Sequence, residues 1–444
     1  MSKPVCLVTA PVATRSGYGA HSRDIIRALI KLDRYDIKVW SVRWGNCSMN
    51  ALQSDDPNDK MIIDRMLQTP ELPKQPEIHI HIVIPNEFQT SGKFNIGITA
   101  GLEKTACPPE WLQGMNKMDM NIVPSNFVKD MMTSIAFDVQ DDKTKQVQGQ
   151  LKIEKPIEVL FEGVDTNIFK KTNEFSKELV DEIKQVKENF NFLFVGHWLQ
   201  GKLGHDRKDT GMLVKVFLET FKNMKNAPGL IMKSSGATFS ILDREDMLDR
   251  IKQLKDTIKG DLPNIYLLHG DFTDDEMNEL YNHPKVKAHV NITHGEGFGR
   301  PLLESTISQK PVIASNWSGH IDFLPKSSAV LLGGGLENVP KDSFPDNMYV
   351  EGSQWFTVNY TEASAVMKEV HKNYKKYTLN AKKLAIVNKS KFSLDAMTRK
   401  LGKLLDKYVP EFPEEVELKL PKLKKVNASS GPPPKLKLPK LKKV

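Results

Sequence analysis

The stretch GEGFGRPLLE, from Gly295 to Glu304, places two carboxylates, Glu296 and Glu304, around two glycines, an arginine and a proline. It follows the apolar run AHVNIT, so it reads as the loop between a strand and a helix. Gly297, Phe298 and Gly299 form the turn, and its glycines let the backbone approach a ligand and take positive φ. Pro301 fits the first helical position, where a missing N–H has no consequence. The free N–H groups of such a helix start point towards an anion such as a phosphate. Glu304, expected on the first helical turn, can accept hydrogen bonds from two vicinal hydroxyls, as on a ribose. Glu296, in the loop, reaches another part of the same ligand. Taken alone, Glu304 reads better as an acid favoured by the helix dipole. Taken as a whole, the stretch suits a nucleotide-linked sugar.

A second constellation is FVGHWLQGKLGHDRKDTGMLVKVF, a strand, a glycine and a cationic loop with Arg207 and Lys208 ahead of an amphipathic helix. Moving a glycosyl group off a nucleotide diphosphate leaves two negative phosphates. These need positive charge that acts most strongly in the transition state. An exposed basic loop is the competing reading. The third is PVATRSGYGAHSRD, where Gly17 and Gly19 would let a loop close over a pyrophosphate. Ser22 stands where a full G-x-G-x-x-G has its third glycine, and a lone G-x-G is weak evidence. An ordinary turn is the alternative. KSSGAT adds Lys233 and Ser234 to the same donor pocket, and Glu103 follows a first-half strand and faces the cleft.

His79 and His81 alternate along IHIHIVI, with no acidic or cysteine partner to complete a metal set, and read as structural. No Asp-x-Asp follows a strand, so no catalytic metal is expected; fixed cations and a helix dipole replace it. No cofactor is expected either, the nucleotide-diphosphate sugar being a co-substrate. No carboxylate pair reads as the nucleophile and acid of a glycosidase.

The elements that must hold these residues alternate between strand and helix, which implies parallel sheets with helical crossovers. In the first half PVCLVTA, DIKVWSV, IHIHIVI and MNIVPS read as strands. AHSRDIIRALIKL and NFVKDMMTSIAF read as helices, the second capped by Ser125 or Asn126. PIEVLFEGVDTNIFKKT opens a connecting region. A second set follows: strands at NFLFVGHW, GLIMKSS, IYLLHG, AHVNIT and PVIAS, and helices at DTGMLVKVFLETFKNM, TDDEMNELYNH and PLLESTISQ. The fold class is α/β, with two doubly wound Rossmann-like domains at 1–175 and 190–385. A closing amphipathic helix is expected within 386–410. Residues 411–444 form a Lys/Pro-rich tail expected to be extended or disordered.

The chain has 444 residues and a formal net charge of +8, but the excess is local. Residues 418–444 carry nine lysines and no acidic residue, and without them 54 basic residues stand against 55 acidic, a net of −1. The nine-residue segment LKLPKLKKV occurs at 418–426 and again at 436–444. It lacks arginine and aromatics, which argues against base readout or stacking, and its prolines argue against a long membrane-surface helix. The tail reads as a tether for nucleic acid, an anionic membrane or a protein partner, with a solvated tail as the alternative. Cys6, Cys47 and Cys107 are too few and too scattered for a disulfide framework or a zinc site. The N-terminus lacks the order of a signal peptide, and no apolar run reaches the ~18 residues of a membrane span. A cytoplasmic protein is expected.

HGEGFGRPLLE followed by QKPVIASNWSGHIDFL resembles the E-x7-E signature of retaining GT-B glycosyltransferases of the family 4 type. The resemblance covers most of residues 1–409 and is strongest between about 190 and 325. It implies two Rossmann-like domains facing a cleft, with the donor bound mainly by the second. It implies that Glu304 holds the donor ribose and Glu296 the transferred sugar, and that transfer retains configuration. Lys208 matches the family's lysine. His197 stands at the usual arginine position, so Arg207 is expected to supply that charge. Gln309 stands where the family has a glycine, a change expected to alter the helix end and not the site. The function implied is transfer of a sugar from a nucleotide-diphosphate sugar to a hydroxyl of a glycan, lipid or protein. Two alternatives are a phage-type enzyme acting on hydroxymethylated DNA bases and a non-catalytic nucleotide-sugar or polyanion-binding protein. A phosphorylase or sugar-phosphate synthase on the same fold is a further one.

Overall fold

The computed structural model describes residues 3–413 apart from 142, 200 and 237. The repeat tail therefore lies outside the described residues. The first half runs β1 (Val5–Ala10), α1 (Gly17–Leu32), β2 (Asp36–Ser41), α2 (Pro57–Ile63), β3 (Ile78–Ile82), β4 (Phe94–Ile98), α3 (Pro109–Lys117), β5 (Met120–Val123), α4 (Asn126–Ser134), the hairpin β6 (Phe137–Gln140) and β7 (Val147–Leu151), and β8 (Ile157–Val159). Six of these strands form one parallel sheet in the order β2-β1-β3-β4-β5-β8. All five residues of β3 are buried, as a parallel strand covered on both faces requires. His79 hydrogen-bonds Thr9 Oγ1 at 3.0 Å, and His81 Nδ1 accepts from the Gln89 N–H at 3.0 Å. Burial pushes their pKa values down to about 4 and about 3.

The second half runs α5 (Lys177–Ile183), β9 (Asn191–His197), α6 (Thr210–Phe221), β10 (Gly229–Ser235), α7 (Ile241–Asp256), β11 (Ile265–Leu268), α8 (Asp274–Asn282), β12 (Val286–Asn291), α9 (Arg300–Ile307), β13 (Val312–Ser315), β14 (Val330–Leu332), β15 (Gly334–Asn338), β16 (Gln354–Val358), α10 (Tyr360–Lys372), α11 (Tyr374–Lys391) and α12 (Leu394–Tyr408). Its sheet is parallel in the order β11-β10-β9-β12-β13-β14. Helix α7 escapes a periodicity reading because only Met247 and Ile251 of its sixteen residues are buried.

Three devices join the halves. The chain crosses after β8 and returns between α11 and α12, and the crossings bond to each other: Val164 N–H to Phe392 O at 2.9 Å and Leu394 N–H to Val164 O at 2.8 Å. Residues 386–391 complete α11, and the closing helix is α12, started by Ser393 as its cap. It returns to the first domain, where Lys31 pairs with Asp395 and Arg34 with Asp406. An arm of the second half, 334–358, reaches over the first. Val339, Phe344 and Trp355 are buried in one apolar cluster with Trp111, Leu112 and Val128. Thr105 and Gln354 exchange two hydrogen bonds at 2.8 Å each. Trp355 also stacks on His294, ring centroids 3.9 Å apart. At the third contact Ser125 Oγ donates to the Gly297 carbonyl at 2.6 Å, and the Asn126 N–H donates to Asp322 at 2.9 Å.

Two backbone positions explain residues of the opening motif. A Cβ on Gly297 would lie 2.2 Å from the Ala100 carbonyl oxygen. Its glycine is thus required by contact between the domains; among the motif's glycines only Gly299, at φ 95°, takes the left-handed region. Gln309 takes φ 65°, so the helix ends as a glycine would end it, contrary to the expectation that the end is altered. Two outcomes follow. Gln309→Gly removes a left-handed non-glycine residue and raises stability by about 1 kcal/mol in denaturant titration. Gly297→Ala overpacks the domain contact, lowers stability by about 1–3 kcal/mol, and enlarges the radius of gyration in solution scattering while leaving secondary structure intact.

Candidate functional site

In each sheet the strand order reverses at one point, and a crevice opens there at the carboxyl ends of the strands. In the second sheet the reversal lies between β9 and β12. The loops leaving those two strands carry Arg207 and Lys208 on one side and Glu296 on the other. In the first sheet the reversal lies between β1 and β3, and the loop after β1 leads into Gly17. The sequence reading took Gly17 and Gly19 as a loop. They open α1 instead, because the extended Ser16 accepts the Gly19 N–H at 3.0 Å and caps the helix. A side chain at Gly17 would meet nothing within 4 Å, whereas one at Gly19 would strike the Thr14 carbonyl at 2.3 Å. Gly19 therefore serves its own turn, and Gly17 faces open space.

The charges in the crevice are paired. Lys208 Nζ donates to both oxygens of Glu296, and Arg207 pairs with Glu103 from the first domain. Burial pushes the Glu296 pKa up, but Lys208 and Arg207 outweigh it and hold the carboxyl below its ordinary value. Burial pushes Lys208 down, with Glu296 opposing and Arg207 assisting. For Arg207, burial is overcome by Glu103 and Glu296, and its affinity for the proton rises. The Glu296 backbone is fixed as well: its N–H donates to Ser318 Oγ at 2.8 Å and its carbonyl accepts the Gly319 N–H at 2.9 Å.

His197, at the end of β9, bonds Ser235 Oγ at 3.1 Å. The residue is exposed to solvent on one side, with the charges of Arg207, Lys208 and Lys233 acting on it. Its pKa is pushed down to about 4, by burial first and then by Arg207, Lys208 and Lys233. It is neutral near pH 7 and contributes no positive charge there. Lys233 donates to the Gly270 carbonyl at 2.7 Å and lies over the rings of Phe239 and Phe272. Burial pushes its pKa down to about 8. Ser234 is buried with its hydroxyl unpartnered.

Glu304 is the fifth residue of α9 and so lies one turn in, not on the first turn, and Pro301 is the second residue. Its carboxylate accepts from Arg300 Nε at 2.8 Å and from the Tyr281 hydroxyl at 3.2 Å. Burial raises its pKa to about 7 against the opposing charge of Arg300. Arg300 also pairs with Asp24 of α1, tying this carboxylate to the first domain. Phe298 does not present its ring to the cleft. The ring is 2% exposed and packs on Phe323 at 5.0 Å, so only its backbone is left for a ligand. Among the described residues no cluster of three or more His, Cys, Asp or Glu could hold a metal, and no helix is long and apolar enough to cross a membrane.

Three residues of this site were not singled out from sequence: Arg300, Asp24 and Tyr281. Asp24 had a signal, since it falls on the buried face of α1 beside Ile25. Tyr281 had none.

No protein-family description matches the chain, and no curated protein matches it in sequence. Solved structures do match. HepE of Anabaena in complex with UDP-glucose has a TM-score of 0.58 at 12% identity, over 91% of this chain and 100% of its own. Sucrose-phosphate synthase from Thermosynechococcus elongatus has 0.59 at 11%, over 91% and 98%. A glycosyltransferase from Rickettsia africae has 0.56 at 16%, over 92% and 99%. Identities this low establish a shared fold: the chain has the GT-B fold, two Rossmann-like domains facing a cleft.

Proposed function

We propose that the protein is a glycosyltransferase that moves a sugar from a nucleotide-diphosphate sugar to an acceptor hydroxyl. The observation that carries this reading is the Lys208–Glu296 pair, with Arg207 beside it, at the strand reversal of the second sheet. Two partly buried cations need counter-charge, because an unpaired charge in such a place is strongly destabilising. Without a ligand, Glu296 and Glu103 supply it. A bound diphosphate takes over that role, which frees Glu296 to accept hydroxyls of the sugar. As the bond from the anomeric carbon to the diphosphate breaks, its electron pair passes to the phosphate oxygen, and the two cations stabilise the charge that develops there. The uncharged His197 supports the assignment of the second cation to Arg207.

Retention of configuration, which rests on the resemblance, and independence of metal, which rests on the lack of an Asp-x-Asp after a strand, belong to the same proposal, as does the lack of a cofactor. UDP-glucose is the first donor to test, because the HepE structure is a complex with it. Glycans, lipids and proteins are the acceptors to screen, with hydroxymethylated DNA alongside.

With the donor that turns over, release of nucleotide diphosphate is expected to fall about 10²–10³-fold in kcat/KM for Lys208→Ala and Arg207→Ala. His197→Arg, which adds a cation at the crevice, tightens binding of the nucleotide diphosphate. If no nucleotide sugar or nucleotide diphosphate binds at all, the catalytic reading fails and a polyanion-binding protein takes its place. Binding also has a pH signature. The Glu304 carboxyl, raised to about 7, accepts best from a ribose hydroxyl once its proton is lost. Affinity measured by calorimetry rises from pH 6 to pH 8 in the wild type, and its Glu304-dependent part disappears in Glu304→Gln.

A further inference from the structure

Glu162 lies where the chain first crosses between the domains, and no role in transfer has been given to it. Its neighbours on either side face the return crossing. Phe161 packs on Phe392 with ring centroids 5.0 Å apart, and a Cβ on Gly163 would lie 2.6 Å from Leu394 Cα. Glu162 lies between them, within electrostatic reach of charges from both domains. Those charges are Arg300, Asp24, Glu304 and Glu296.

The residue is 9% exposed, and among the described residues none donates a hydrogen bond to its carboxylate. Its oxygens are not among the fully enclosed unpartnered polar atoms, so they reach solvent, where a ligand's hydroxyl takes the place of water. Arg300 does not pair with it, because its contacts go to Asp24 and Glu304. Burial, with Asp24, Glu304 and Glu296 adding to it, outweighs Arg300 and raises the Glu162 pKa to about 7. Among the described residues no group of three or more His, Cys, Asp or Glu could hold a metal there. What fits a carboxyl that both gives and accepts hydrogen bonds near neutral pH is a hydroxyl. Glu304, the carboxylate read as holding the ribose, is among the charges that act on it.

We propose that Glu162 is a binding residue of the donor site that takes one hydroxyl of the nucleotide's ribose while Glu304 takes the other. The inference rests on the transferase reading above. It makes the inter-domain crossing, as well as α9, responsible for selecting ribonucleotides over deoxyribonucleotides.

The test is calorimetric titration of the full chain with UDP, ADP and GDP and with their 2′-deoxy and 3′-deoxy forms. Wild type, Glu162→Ala and Glu162→Gln are compared, and a thermal melt checks that each variant is folded. The wild type is expected to prefer the ribonucleotide about tenfold or more, the worth of one hydrogen bond to a charged group. Glu162→Ala binds the ribonucleotide about tenfold more weakly and no longer distinguishes it from one of the two deoxy forms. Glu162→Gln, which still donates and accepts, keeps most of the preference and serves if the alanine variant does not fold. If Glu162→Ala keeps the wild-type preference against both deoxy forms, Glu162 does not touch the ribose and this inference alone falls. If Glu162→Gln binds like the wild type but Glu162→Ala weakens all forms equally, the residue is structural and the inference falls too. If the wild type binds none of the nucleotides, the transferase reading falls and takes this inference with it.

Discussion

Cations held in a cleft with little water must have a counter-charge, and the site is organised around that constraint. Arg207 and Lys208 leave the same strand end and cannot neutralise each other. Lys208 finds Glu296 within its own domain, and Arg207 reaches across to Glu103 in the other. The second pairing is repeated deeper in the cleft, where Arg300 joins Glu304 to Asp24. Charge balance thus couples the binding residues to the placement of the domains. The diphosphate of the proposed donor would alter the first pairing directly and the domain contact through it.

Hydrophobic packing sets the limits within which this coupling can act. Two bonded chain crossings form the hinge, and α12 returns to the first domain. The arm at 334–358 adds a third attachment, with Trp355 buried against first-domain side chains and stacked on His294 beside the Glu296 loop. Asp342 of the same arm bonds His205 at 2.8 Å, three residues before Lys208. The arm therefore touches both loops that carry the crevice charges.

Much of this was legible in the sequence where periodicity was strong. The buried parallel strands, the amphipathic α1 and the loop-then-helix motif at 295–304 stand out because their apolar patterns differ from their surroundings. The proposal of Arg207 as the second cation came from the resemblance, through the histidine at 197. What escaped depends on contacts distant in the chain. Gly297 looked like a ligand-facing glycine, but its constraint is Ala100 of the other domain. Phe298 sits in the motif and turns into the core. The ends of helices α1 and α9 shifted because Ser16 and Gly299 cap them earlier than the apolar pattern begins. Glu162 and the arm carry no periodic signal at all, and their positions follow only from where the hinge and the two cores come together.

The measurement that bears most directly on this account is a crystal structure of the chain with a nucleotide diphosphate bound. The account predicts the diphosphate at the β9–β12 crevice, within hydrogen-bonding reach of Lys208 Nζ and the Arg207 guanidinium, with the Lys208–Glu296 pair opened. A diphosphate bound elsewhere, or bound there with both ion pairs intact, would contradict it.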